Sequence, residues 1–478
     1  MPQPVRPASP LASSAETPLA THAWQPVLFA ALAGGMGWGI RGQYGHETGA
    51  MIAGLLVSST LVYLLCPRRS SLSVTRAVAW GTVAMGLGGS MTYGQTVGLT
   101  HDGPLLGNWA ALRWGMLGLG IKGGLWIGLA GVFLGMGLGG IRYRVREMTL
   151  LMLALIGAYF MGTSLLNGPF DPANRKLPAI YFSDNWYWEP AGGITPRSEC
   201  WGGLLAAFLL LVVYTGWARK DRLARNLAFW GMLGGALGFP LGQSIQAWAA
   251  WNRDFLSTGP LASIPFGVNW WNMMETTYGA VMGGVLGLGC WRNRHWINPV
   301  APHARSELTG WTEVLLLLVH LPMLLTTEFL AIRAVDALYD LGLIMAIIPM
   351  VAILGGRWWP YLQIFPLTLI PIAGKTTRQL VYGESAIHFS AGWLIYFIGP
   401  LLIATLLTIY SIRREHDGED GRVLVRRSLL WNTWIYFGLN YAFFHYPWPW
   451  ATWTGRTPNG LIFTICAVGL TWLALHRR

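Results

Sequence analysis

Read from its N-terminus, the chain is a succession of long apolar runs separated by short polar breaks. A helix needs roughly 20 mostly apolar residues to cross a bilayer. The pattern predicts about fourteen such segments: 26–45, 48–65, 77–98, 114–138, 148–166, 201–217, 227–249, 270–290, 312–332, 341–356, 359–374, 387–410, 429–446 and 458–475. Pro349, Pro360, Pro366 and Pro371 interrupt the ninth to eleventh region. Proline inside a membrane requires neighbours to satisfy the freed backbone groups, so a re-entrant segment is expected there. The fold class that follows is all-α, a polytopic integral membrane helix bundle.

Within the apolar runs the small residues are unevenly spread. Of 61 glycines, 47 precede residue 301. The first, third and seventh segments contain "GGMGWGIRGQ", "GLGGSMTYGQ" and "GGALGFPLGQ", each closing on Gly-Gln with another glycine eight residues before the last one. A second helix follows each, carrying "GAMIAG", "GGLWIG" and "GAVMGG". Residues four and eight apart share a helix face, and small residues there let helix backbones approach closely in lipid. The expectation is three repeated, tightly packed helix hairpins. Chance recurrence of glycine in a glycine-rich membrane protein is the alternative. The chain then divides into a tail at 1–23, a glycine-rich transmembrane bundle at 24–300 and a second bundle of about six helices at 301–478. The tail is rich in Pro, Ala, Ser and Thr and is expected to be disordered and cytoplasmic; it lacks the basic start and apolar run of a signal peptide.

Composition agrees with the segment map. Hydrophobic residues make up 53% and charged residues 11%, against about 25% charged in soluble domains. The 27 tryptophans suit anchoring at the membrane interface. The formal charge of +12 invites a nucleic-acid reading, but the distribution of the charge removes it. With the N-terminus in the cytoplasm, 22 of the 33 Lys and Arg residues fall in inward segments. That is the excess the positive-inside rule describes. Both termini are then cytoplasmic, the membrane is expected to be a bacterial inner (cytoplasmic) membrane, and the basic residues face anionic headgroups. No nucleic-acid partner is expected. Cys66, Cys200, Cys290 and Cys466 are scattered without a CxxC pair, so free thiols and no zinc site are expected. Nothing in the sequence calls for a metal or cofactor.

Candidate chemistry concentrates where the apolar runs hold polar side chains. The first such stretch is "RGQYGHE", with Arg41, Gln43, His46 and Glu47. Gln95 and Gln243 occupy the corresponding Gly-Gln positions, and Lys122 and Glu275 stand near the starts of the partner helices. All eight are expected at similar depth toward the outer leaflet, with Gln246 and Asn272 nearby. Ionisable groups within a membrane are costly and usually face a protein interior or a water-filled cavity. Two structural readings stand beside a binding site: buried ion pairs of Arg41 or Lys122 with Glu47 or Glu275 that fix the packing, and a solvated rim. Glu328, Arg333, Asp336, Asp340, Lys375, Arg378, Glu384 and His388 form a later set on the same side, which allows a site between the halves. "GKTT" at 374–377 is not a phosphate loop, because Leu369 stands where the Walker pattern needs glycine. His320 reads as a packing histidine. The aromatic loop around "YFSDNWYWEPAGG" is expected on the outer surface, and 411–428 as a charged cytoplasmic connector.

These features favour a multi-pass transporter or channel for a small polar or anionic solute over an enzyme. Arg41 and Lys122 would hold an anion, the glutamines would donate hydrogen bonds, and Glu47 or His46 would carry a proton. The alternatives are a membrane-embedded transferase acting on a lipid-linked or periplasmic substrate, with Glu47 or His46 as general base, and a structural membrane subunit. The first outer turn is short, which argues against a transferase. The lipid bilayer is the one partner the sequence requires; the oligomeric state is not written in it.

Overall fold

The computed structural model describes residues 18–90, 93–183, 188, 196–258, 267–298, 306–330, 332–383, 387–416, 420–446 and 453–476. Helices account for nearly all of its regular structure, and no strand occurs among the described residues. The first part comprises α1 (Trp24–Arg41), α2 (Glu47–Leu65), α3 (Ser71–Leu87), α4 (Gly94–His101), α5 (Trp109–Leu138), α6 (Val145–Leu166), α7 (Trp201–Val213), α8 (Arg222–Trp251), α9 (Arg253–Thr258) and α10 (Trp270–Arg292). Side chains suited to satisfying the first orphan N–H groups open several of them. Asn108 accepts from Ala111 N at the start of α5, Asp221 from Ala224 N at α8, and Asn269 from Asn272 N at α10.

Six of these helices close into a ring in the order α1, α2, α3, α5, α8, α10 and back to α1. Glycine makes the closest crossings possible. A Cβ on Gly34 of α1 would lie 2.1 Å from the Gly279 carbonyl oxygen of α10, and one on Gly235 of α8 would lie 1.9 Å from that of Gly123 on α5. Backbone cannot yield at such distances, so any side chain there would force the helices apart. This is association through small residues, and the glycines that carry it are those of the recurring sequence phrases.

The three Gly-Gln pairs do not occupy equivalent helix ends. Gly42–Gln43 follows the end of α1, Gly94–Gln95 opens α4, and Gly242–Gln243 lies inside α8, which runs on to Trp251. The third predicted segment, 77–98, is two helices because α3 stops at Leu87, where Gly88 and Gly89 press against Trp126 and His46.

The second part contains α11 (Gly310–Phe329), α12 (Arg333–Asp340), α13 (Ile348–Gly355), α14 (Trp359–Gln363), α15 (Pro366–Thr377), α16 (Phe389–Gly392), α17 (Gly399–His416), α18 (Gly421–Phe443) and α19 (Thr457–Leu475). Pro360 and Pro366 stand in the first turns of α14 and α15, where the missing N–H costs nothing, and they divide 359–374 into short helices. Pro349 lies within the continuous helix from Leu343 to Gly355, where its π turn passes into α13. α12 and the helix from Leu343 to Gly355 are bent by 60° across Gly342, whose φ is +69°. The expected boundary at residue 300 does not separate two cores: α18 packs on α2 and α3, α19 on α1, and α13 and α14 on α3.

Seven helices among the described residues are long and apolar enough to cross a membrane, or eight if the bent pair counts as one span. Their surroundings differ. α2 is wholly buried, whereas only 22% of the apolar stretch of α11 is. The rest of α11 presents Trp311, Leu315, Leu318 and Leu325 outward, a helical spacing of three to seven residues. α6 and α17 carry similar outward apolar faces, including Leu150, Leu153, Met161, Leu402 and Leu406. Such continuous apolar surface is compatible with an integral membrane protein.

Of the tail expected to be disordered, residues 1–17 lie outside the described part. The adjoining residues are seated: Ala20 is buried and donates its backbone N–H to the Leu64 carbonyl at 2.9 Å.

Candidate functional site

The centre of the six-helix ring is filled by aromatic rings. Trp38 of α1 meets Trp126 of α5 at 5.1 Å and Tyr278 of α10 at 4.6 Å; Phe239 of α8 stacks on Tyr278 at 4.7 Å and meets Tyr93 at 5.2 Å. The Arg41 guanidinium caps this plug, lying 5.4 Å from the Trp38 and Tyr93 rings and 5.7 Å from that of Trp126. The ring is therefore a packed core and not a pore.

Arg41 is held by more than the rings. Its Nη1 donates to Glu275 Oε1 at 2.6 Å, and its Nη2 donates to the Tyr93 hydroxyl at 2.6 Å and reaches His46 Nδ1 at 3.0 Å. Glu275 also accepts from Trp271 Nε1 at 3.1 Å. A guanidinium has no acceptor, so His46 Nδ1 must be the accepting nitrogen and the neutral ring carries its proton on Nε2. A second proton on His46 would set N–H against N–H. This arrangement disfavours the expected use of His46 as a proton carrier.

Lys122 makes a separate knot. Its Nζ lies 2.6 Å from Glu199 Oε1, 2.8 Å from Thr96 Oγ1 and 3.1 Å from Ser183 Oγ. Glu199 in turn accepts from Phe182 N at 2.9 Å and from Ser183 Oγ at 2.7 Å. The partner of Lys122 is therefore Glu199, in the segment before α7, and not the expected Glu47 or Glu275. Gln243 donates to Thr100 Oγ1 at 2.7 Å. The Gln43 amide oxygen accepts from Arg456 Nη2 at 2.8 Å. Of the eight candidate residues, Arg41, Lys122, Gln243 and Glu275 are thus buried in packing contacts, and Gln43 pairs outside the cavity described next.

The other three, His46, Glu47 and Gln95, line a cavity of about 810 Å³. The local sequence places them there. Gly45, at φ +89°, turns the chain out of α1 and starts α2 at Glu47, close to the helix's positive end, where a carboxylate is stabilised. Gly94 and Gln95 open α4 on the same wall. The opposite wall comes from the second part: Thr327 and Glu328 of α11, Asp336, Tyr339 and Asp340 of α12, Lys375 of α15, and Arg378. Convergence is close, because a Cβ on Gly45 would lie 3.9 Å from the Tyr339 hydroxyl and 4.0 Å from Lys375 Nζ. Tyr44 ties the two walls together through a 3.0 Å hydrogen bond between its hydroxyl and that of Thr376. Glu328 is buried, whereas Asp336, Asp340, Arg378 and Arg197 are exposed toward the rim.

Five of the later candidate residues, Glu328, Asp336, Asp340, Lys375 and Arg378, thus join the first cluster. Arg333 and His388 do not line the cavity, and Glu384 lies outside the described residues. Most of the aromatic loop also lies outside them. Tyr93, Tyr339, Arg197 and Glu199 were not singled out by the sequence. A buried lysine requires a carboxylate, but Glu199 was one of six unassigned outward acidic residues, with Asp102, Asp171, Asp184, Glu189 and Asp254, and nothing in the sequence separated it from them. His320 is a packing histidine, with Nε2 2.8 Å from the Ile344 carbonyl oxygen. All four cysteines are reduced thiols outside any disulfide, as expected.

The fold and site together describe an all-helical chain with several membrane-length apolar helices and a charged cavity between its two parts. Comparison with protein-family models, curated proteins and solved structures finds no match for this chain.

Proposed function

We propose that this is a multi-pass transporter of the bacterial inner membrane that binds a small, charged polar solute in the cavity between the ring and α11, α12 and α15. The observation that carries the reading is the lining itself. Four carboxylates, Glu47, Glu328, Asp336 and Asp340, face three cations, Arg197, Lys375 and Arg378, across about 810 Å³. Asp336, Asp340, Arg378 and Arg197 are exposed, but keeping Glu47, Glu328 and Lys375 largely out of solvent at the end of an apolar bundle is costly unless they serve a water-filled site. Charges of both signs suit a solute carrying both. The aromatic plug speaks for a carrier over an open channel. In this reading α1, α3, α8, α10 and α18 also cross the bilayer, which brings the number of spans toward the expected fourteen, and the pairs α1–α2, α3–α5 and α8–α10 of the ring are a threefold repeat in which the Gly-Gln phrases sit at different positions. The binding residues narrow to His46, Glu47, Gln95, Glu328 and Lys375, with Arg41 and Glu275 supporting His46 from below.

Uptake into proteoliposomes tests the proposal with radiolabelled amino acids, phosphoethanolamine and dicarboxylates. At least one solute should enter above protein-free vesicles. Lys375→Met and Glu328→Gln should each cut that uptake by roughly tenfold or more, the scale of a lost charge-assisted hydrogen bond of about 1.5–3 kcal/mol. Absence of uptake for every solute, together with group transfer in a lipid-phase assay, would establish the transferase instead. One observation favours that second reading: the short first outer turn opens onto a cavity with ample room for a substrate.

The orientation has its own test. Both termini belong on the cytoplasmic side, motivated by the inward arginine excess. In a Cys200→Ser background, a cysteine placed at 420 should react with an impermeant maleimide only after cells are permeabilised, and one at 185 in intact cells. The reverse pattern overturns the topology.

A further inference from the structure

The charged cavity does not end in polar walls. At Tyr159 and Asp340, which line both, it meets an apolar groove. The groove descends α6 from Tyr159 through Ile156 to Met152, two turns or about 10 Å, with Ala207 of α7 opposite. Its other edge is Leu341, beside the 60° break that Gly342 places between α12 and the next helix. Leu341 is exposed, and α6 presents Phe160 and Met161 outward beside the groove, so the groove lies next to the apolar belt. Its volume is about 50 Å³, room for roughly four groups of water or methylene size.

Two adjoining spaces that share Tyr159 and Asp340 in their walls, one with charges of both signs and the other a narrow apolar slot, together have the polarity of a lipid. We propose that the ligand of this cavity is a zwitterionic membrane amphiphile. Its head lies among Glu47, Glu328 and Lys375, and the first methylenes of its chain enter the groove beside Ile156 and Ala207. The inference rests on the cavity being the substrate site, and it adds the substrate class. A soluble zwitterion would need no groove. A purely anionic lipid would leave the four carboxylates facing its phosphate. The break at Gly342 gives the chain a lateral way in from the bilayer, so the head need not leave the membrane surface.

The test is a chain-length series measured by titration calorimetry on the full-length protein in phosphatidylglycerol nanodiscs, whose purely anionic lipid lies outside the proposed ligand class. The probes are phosphoethanolamine, its O-methyl ester, which has the same phosphodiester and ammonium charges as the longer esters, and the O-alkyl esters with two, four and six carbons, the slope being read from the methyl ester upward. In the wild type, Kd should fall about fourfold for each of the first few methylenes, the value of burying one CH₂, and then level off. Ile156→Trp at the partly exposed edge and Ala207→Trp opposite it both fill the groove, and either one that folds should flatten the series. A flat series in the wild type overturns the amphiphile, as does an unchanged slope in the filled variants. If phosphoethanolamine alone binds, loses binding in Lys375→Met, and gains nothing from a chain, the cavity reading stands and the amphiphile falls. If no member binds the wild type, the zwitterionic amphiphile is wrong, and uptake of other solutes decides the cavity reading separately.

Discussion

Arg41→Ala should lower the thermal stability of the purified protein sharply, and Arg41→Ala combined with Glu275→Gln should recover part of the loss. Arg41 and Glu275 are both buried and 2.6 Å apart. Removing one member of such a pair leaves an uncompensated charge and costs about 3–5 kcal/mol. Neutralising the other member relieves that cost, although Tyr93 and His46 still lose their donor. Arg41→Lys should fall between wild type and Ala, because a single ammonium cannot reach Glu275, Tyr93 and His46 with the geometry of a planar fork. Melting curves in detergent, read beside uptake, decide the role. A variant that melts like the wild type but no longer transports would make Arg41 a ligand-binding residue. A rescued double mutant that transports would confirm it as packing beneath the site.

Lys122→Met should have an effect of similar size, about 3–5 kcal/mol, but with a different local signature. Lys122 and Glu199 are buried and 2.6 Å apart, and Glu199 also holds Phe182 N and Ser183. Without the ammonium, Glu199 must take up a proton or leave for water, and the segments at 181–183 and 196–200 lose one of their anchors on α5, while Trp114 Nε1 still donates to the Tyr181 carbonyl at 2.8 Å. Cys200 lies in that region and lines the cavity, while Cys66, Cys290 and Cys466 are buried. Alkylation of the native protein should therefore report on Cys200. Its rate should rise in Lys122→Met, stay near wild type in Arg41→Ala measured well below its melting temperature, and return toward wild type in Lys122→Met/Glu199→Gln. A rate insensitive to Lys122 would show that the ion pair does not anchor this segment.

The residues around Arg41 illustrate how far a sequence reading carries. That Arg41 turns into the protein followed from its neighbours, since Gly37 and Gly45 lie one turn to either side and the segment is apolar. A turn near Gly45 was required only if Arg41 and Glu47, six residues apart, were to face one another; the chain does turn there, at φ +89°, but Arg41 meets Glu275. The choice between Glu47 and Glu275 as the partner of Arg41 did not follow, because both carboxylates stand near the start of a partner helix. Which of them meets the guanidinium depends on α10 lying beside α1, a contact across more than two hundred residues. Lys122 failed for the same reason. Its partner came from an irregular segment with no periodicity to place it. The Gly-Gln phrases were legible as packing signals but misread as helix ends. Glycine marks close approach and chain breaks with the same letter, and only the neighbours of Gly88, Gly94 and Gly242 tell the cases apart.

Local physics written in the order of residues determined the helical class, the apolar segments and their breaks at proline, the glycine faces and the side of the chain on which the charges gather. Each of these depends on residues within a few turns of one another, so period and composition are enough to read them. The closure of six helices into a ring, the aromatic plug beneath Arg41, the burial of Lys122 with Glu199, and the meeting of Glu47 with Glu328 and Lys375 were decided by tertiary structure. They depend on which helix faces which, and that choice is made by the joint packing of the whole chain. A helical period says which residues share a face, but it carries no information about the face opposite.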